Sequence, residues 1–179
     1  MDIKKLTRTS LLLALAVGSQ FLKNLSVYIT GPIVNCILII ALLTCGLASS
    51  VFLCLILPLT SWLITASPII SAMPVIMICI MIGNLTMVMC TQYFIRQKNT
   101  DKQLAVGLIT GCIAKAGVMT VTISLLVLPL LGPSTGLPDK ALAVAKLTFS
   151  VTQLITGLIG TVLTCALKRV LDKVAGKSN

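Results

Sequence analysis

Apolar residues run through this chain in long stretches, and the few polar clusters between them mark where helices stop. A membrane-crossing helix needs about 20 mostly apolar residues, and the runs divide into six segments of that order. The first covers residues 6–22 and is closed by Lys23 and Asn24. The second opens at Gly31 and Pro32, where proline suits a first helical turn, and runs to Cys45. Gly46 begins a tight reversal into the third, residues 47–64, which Pro58 is expected to kink. Residues 65–73, with two serines, a threonine and Pro68, read as a loop or short re-entrant stretch. The fourth segment is 74–95, the strongly polar loop is 96–102, and the fifth segment is 103–131. Residues 132–139 hold Gly-Pro, Thr-Gly and Leu-Pro and read as a turn region. The sixth segment is 140–171, its last two turns in water. Residues 33–64 are broken only by Gly46, so five helices is the competing count.

Composition leaves lipid as the solvent. Of 179 residues, 57% are hydrophobic and only 10% charged, against about 25% charged in a soluble domain. Mean hydropathy is +1.09. The chain reads as a single all-α integral membrane domain over residues 1–179, a six-helix bundle. Its first 20 residues resemble a secretory signal, with Ala16, Val17 and Gly18 as a cleavage site, but the apolar segments that follow favour a retained first helix.

Charge sets the orientation. The net charge is +10, yet the cations form no nucleic-acid-binding patch; they cluster between apolar runs, as on cytoplasmic loops. Six helices with both termini inside put Lys4, Lys5, Arg8, Arg96, Lys98, Lys102, Lys168, Arg169, Lys173 and Lys177 on the inner side. Lys23, Lys115, Lys140 and Lys146 are left outside or within the membrane.

Several chemistries are missing. The acids are Asp2, Asp101, Asp139 and Asp172, all at chain ends or in loops, and there is no histidine. A proton-coupled carrier usually needs a buried carboxylate or histidine. No Walker sequence is present for ATP. The seven cysteines lie inside apolar segments with no C-x-x-C pair, and read as small hydrophobes. An enzyme, a metal site and a bound cofactor are therefore not expected; a binding or pore-forming membrane subunit is.

The polar residues inside the spans say what such a subunit binds. Lys115 lies about eleven residues from the inner end of segment five, ~16 Å at the helical rise, near the bilayer midplane. A cation there costs at least ~2.5–3.5 kcal/mol, and no acid in any span can pair with it. It either hydrogen-bonds carbonyls and snorkels, or faces a cavity and meets a ligand's carboxylate, phosphate or carbonyl. Asn84 reaches similar depth on segment four, beside Gly83. Lys146, Ser150 and Gln153 are spaced to share one face of segment six. Asn35, Trp62 and Gln20 lie in the outer half as well, Trp62 also suiting an interface anchor. Together these are candidate substrate-binding residues of a pocket open to the outside, and the ligand expected is anionic or carbonyl-rich. On segment one, Ser10, Ala14 and Gly18 recur every four residues, a face that lets another helix approach closely, whether from this bundle or from a partner.

The whole chain resembles the substrate-binding S component of an energy-coupling factor (ECF) transporter. The opening Leu6-Thr-Arg-Thr-Ser-Leu-Leu-Leu-Ala-Leu-Ala carries part of the likeness, and so do Ile29-Thr-Gly-Pro-Ile-Val-Asn35 and Pro74 through Asn84. The resemblance implies six helices with cytoplasmic termini in a bacterial cytoplasmic membrane. It implies a vitamin or cofactor precursor bound outside, delivered with a transmembrane coupling subunit and two ATPases as the S component topples in the membrane. It implies that the Ser10, Ala14 and Gly18 face meets the coupling subunit, although the usual motif has alanine where Ser10 and Gly18 stand. A standalone small carrier or channel subunit is the alternative.

Overall fold

The apolar stretch 33–64 is two helices, and Gly46 divides them. Its φ of 94° lies in a region that favours glycine, and its N–H donates to the Ala41 carbonyl as the chain turns. The computed structural model describes residues 3–24, 26–97, 100–174 and 176. Among these there is helix and turn but no strand. Asp2, Lys98 and Lys177 lie outside the described residues.

Helix α1 covers Ile3–Gln20, α2 Val27–Cys45 and α3 Leu47–Thr65. Helix α2 starts four residues before Gly31, because the Ser26 hydroxyl caps it by accepting from the Tyr28 N–H at 3.2 Å. Pro32 therefore sits inside the helix. Helix α3 ends where Ala66 turns left-handed and its N–H donates to the Trp62 carbonyl. The stretch after it holds one short helix, α4 (Pro68–Ala72), and α5 follows over Val75–Gln97.

Helix α6 (Asp101–Met119) continues without a break into a π-helical stretch, Thr120–Val127, and then α7 (Leu128–Leu131). The expected sixth segment is two helices, α8 (Asp139–Thr148) and α9 (Val151–Val174). They meet at Phe149 and Ser150, where the helical hydrogen-bond pattern is interrupted.

Among the described residues five stretches are long and apolar enough to cross a membrane: Val27–Cys45, Leu47–Thr65, Val75–Gln97, Asp101–Thr135 and Asp139–Lys173. Helix α1 is not among them, since Lys4, Lys5 and Arg8 fall within its 18 residues. It nonetheless packs on α2 and α3. Side chains such as Leu11, Leu63, Ile78, Leu125, Leu130 and Val162 cover the outside, far more exposed apolar surface than water-soluble proteins carry.

Among the described residues the bundle has two cores. One gathers Leu38, Leu53, Val88, Leu104 and Leu108 where α2, α3, α5 and α6 meet. The other, around Ile70, Met73, Ile76, Met119, Ile123 and Phe149, ties α4 and α8 over the opposite end. The cations follow the same axis. Lys4, Lys5, Arg8, Arg96, Lys102, Lys168, Arg169 and Lys173 all belong to the end that holds the start of α1 and the end of α9. There Lys168 Nζ joins Asp101 at 2.6 Å and Asp172 at 3.0 Å.

Candidate functional site

Two close helix contacts build the floor of a cavity. On α5, Gly83 faces Met119 and Lys115 of α6; a Cβ there would lie 2.7 Å from Met119 Cγ. On α9, Gly160 faces α2, and a Cβ would lie 2.9 Å from Asn35 Cβ and 3.0 Å from the Pro32 carbonyl. Absence of a side chain at both positions lets four helices converge, and Lys115, Asn35 and Asn84 come together between them.

Lys115 Nζ donates to Asn35 Oδ1 at 2.6 Å. Lys115 is 4% exposed, Asn35 3% and Asn84 3%, so this is a cation held inside the bundle rather than one that snorkels to water. All three border a cavity of about 310 Å³, at the small end of the range for ligand pockets. Above them the cavity is walled by Thr30 of α2, Leu57 and Pro58 of α3, Ile70 of α4, Ala145 of α8, and Phe149 at the break that follows it. Every wall segment comes from the end of the bundle opposite the cation-rich one.

Gln20, at the end of α1, also borders the cavity. Its Nε2 donates to the Leu57 carbonyl at 3.0 Å, and that carbonyl also accepts from Thr60 Oγ1. Two buried side-chain atoms are left without a hydrogen-bond partner among the described residues, Gln20 Oε1 and Asn35 Nδ2. Native proteins rarely bury such atoms unpaired, and both of these belong to residues of the cavity wall.

Of the expected site residues, Lys115, Asn84, Asn35, Gln153 and Gln20 meet at this cavity, and Lys146, Ser150 and Trp62 do not line it. The break between α8 and α9 accounts for the first two. Lys146 is turned outward and exposed, while its carbonyl accepts from Ser150 Oγ at 2.6 Å and Ser124 Oγ at 3.2 Å. Gln153 stays on the wall and spans the break, its Nε2 donating to the Thr148 carbonyl at 3.3 Å. Trp62 Nε1 instead donates to Ser71 Oγ at 3.0 Å, fastening the end of α3 to α4. Ser10, Ala14 and Gly18 lie on the outward side of α1, and a Cβ at Gly18 would touch nothing. Thr30, Met119, Ala145 and Phe149 also border the cavity. The last three are apolar and look in sequence like any lipid-facing position.

A family model described as ECF transporter, substrate-specific component, matches residues 4–168. The chain belongs to that family. No curated protein and no solved structure matches it. As an S component it is a substrate-binding membrane subunit of a transporter, not an enzyme, and its family works with coupling and ATPase subunits. A subunit of that kind needs a chamber for its substrate, and the cavity bordered by Lys115 is the candidate for it.

Proposed function

We propose that this S component captures a small molecule from outside a bacterial cytoplasmic membrane and passes it inward with a coupling subunit and two ATPases. The observation that carries the reading is the buried Lys115–Asn35 pair on a cavity at the less basic end of the bundle. Basic ends of membrane bundles favour the cytoplasm, so this cavity faces out, with both termini inside. That arrangement makes α1 the sixth span, its cations at the inner interface and Leu11 and Leu15 in lipid. The outward Ser10, Ala14 and Gly18 face is then where a coupling-subunit helix docks. The substrate is a vitamin or cofactor precursor with an anionic or carbonyl group for Lys115. With no acid or histidine in the membrane interior, the energy is borrowed from the ATPases.

The test is co-purification joined to an uptake assay. The tagged chain should bring down a coupling subunit and ATPases, and uptake should stop when ATP hydrolysis is blocked. Recovery of the chain alone, with uptake indifferent to ATP, would instead establish a standalone carrier.

A further inference from the structure

We infer that the molecule held in this cavity carries a single carboxylate at one end and a hydrogen-bond donor at the other, joined by an apolar body. The inference rests on reading the cavity as the substrate site, and it fixes the chemistry that site selects.

The acid end is set by Lys115 and Asn35. An ammonium has three protons to donate, and Asn35 Oδ1 takes one of them. That amide oxygen brings no negative charge. The described acids, Asp101, Asp139 and Asp172, are at the ends of helices or near them, away from Lys115. A buried ion without a counter-ion is costly, so the ligand supplies the counter-charge. Beside the ammonium stands Asn35 Nδ2, a second buried donor with no acceptor. Two donors from different groups suit the paired oxygens of a carboxylate. Lys115 is the sole cation among the described cavity-lining residues, which favours one negative charge over the two of a phosphate monoester.

The donor end is set by Gln20. Its Nε2 is occupied by the Leu57 carbonyl, which leaves Oε1 as an acceptor with nothing to accept from. The helices give the separation. Thr30 Oγ1 lies 3.4 Å from the Ser19 carbonyl, so Gln20 is level with Thr30 on α2. Asn35 is five residues further along the same helix, roughly 7–8 Å at the helical rise. The cavity lining also includes Leu57, Ile80, Met119 and Phe149, which suits an apolar body. A volume of about 310 Å³ is at the low end for ligand pockets, so the molecule is small.

The experiment uses the purified full chain and a library of matched triplets. Each holds an acid, its primary amide, and the acid with its far donor methylated; indole-3-acetate, indole-3-acetamide and 1-methylindole-3-acetate make one. Binding is read by thermal stabilisation and then calorimetry. At least one acid should bind, with its amide weaker by about tenfold or more, the scale of a hydrogen bond to a charged group, and its methylated form weaker by about fivefold or more, the cost of leaving the buried Gln20 Oε1 unpaired. Lys115→Met should erase the preference for acid over amide. Gln20→Met should erase the preference for the free donor and leave the acid preference intact. Amides, amines or dianions binding as tightly as the acids would overturn the inference. So would an acid preference that survives Lys115→Met, or a library in which no acid binds. Val144→Trp, at an exposed residue of the cavity lining, separates this failure from the larger one. Compounds of another class that bind wild type and are lost in Val144→Trp leave the cavity as the site and overturn the acid-and-donor chemistry alone. Binding indifferent to Val144→Trp overturns the cavity as the site.

Discussion

The two halves of this bundle treat buried polar groups in opposite ways. In the cation-rich half, hydroxyls are absorbed into helix contacts. Thr91 Oγ1 donates to the Met87 and Gly107 carbonyls, Ser50 Oγ to the Leu38 carbonyl, and Thr164 Oγ1 to the Gly160 carbonyl. In the other half, Gln20 Oε1 and Asn35 Nδ2 are left unpaired on a cavity beside an ammonium. The Thr91–Gly107 and Ser50–Leu38 bonds fasten one helix to the next, the Thr164 bond closes on its own helix, and lipid offers no alternative partner. Unsatisfied amides next to a void store the cost of desolvation until something enters. In the function proposed above, the first half is the base and the second the receptor built on it.

The contrast breaks most sharply at Lys115. Removing one member of a buried charge pair costs about 2–5 kcal/mol of binding, so Lys115→Ala should all but abolish affinity for the carboxylate ligand. Lys140→Ala, in the exposed first turn of α8, should leave that affinity unchanged; equal losses in calorimetry would remove Lys115 from the site.

Glycine substitutions sharpen the same contrast. A Cβ at Gly111 would lie 2.8 Å from the Met87 carbonyl, which is backbone and cannot step aside. Gly111→Ala should lower stability by about 1–3 kcal/mol, the range for overpacking, with ligand selectivity kept. At Gly83 the obstacle is the flexible Met119 side chain, which also walls the cavity. Gly83→Ala should therefore weaken binding more than it lowers the melting temperature. Paired melting and binding curves would separate the two effects.

Smaller still is Gln20→Met. It removes a hydrogen bond and an orphaned acceptor together, so the ligand-free protein should change by no more than about 1 kcal/mol while binding falls. At the bottom is Lys168→Ala. It deletes ion pairs at a site where the Asp101 side chain is 83% exposed, and such pairs contribute about 0.2–1 kcal/mol. A melting shift in Lys168→Ala as large as in Gly111→Ala would mean the cation-rich half is held by surface charge rather than by packing.

Much of this was legible in sequence because lipid makes polar residues conspicuous. A lone lysine far from any acid marked the cavity floor, and Asn84, Asn35, Gln20 and Gln153 stood out for the same reason. Gly46 divided the longest apolar stretch because one residue had to adopt a positive φ. The break at Phe149 and Ser150 left no such mark, with neither proline nor glycine there. Even helical spacing therefore carried Lys146 and Ser150 onto the face of Gln153. Trp62 was ambiguous in another way, since an indole N–H satisfied by Ser71 and one satisfied by a ligand look alike in sequence. The early start of α2 depended on the Ser26 cap, a signal weaker than the Gly-Pro that follows it.

The π-helical stretch Thr120–Val127 has a bearing on how the receptor end is indexed against the base. A wider turn accommodates a surplus residue without ending the helix, and each residue turns a helix by about 100°. Deleting one residue there would let ordinary pitch return and swing everything beyond it about the rod axis. Ser124 would lose its hold on the Lys146 carbonyl, and α8 would come off its seat, while Lys115, on the near side of the widened turn, would stay where it is. One surplus position thus aligns the roof of the chamber over a floor that is laid independently of it.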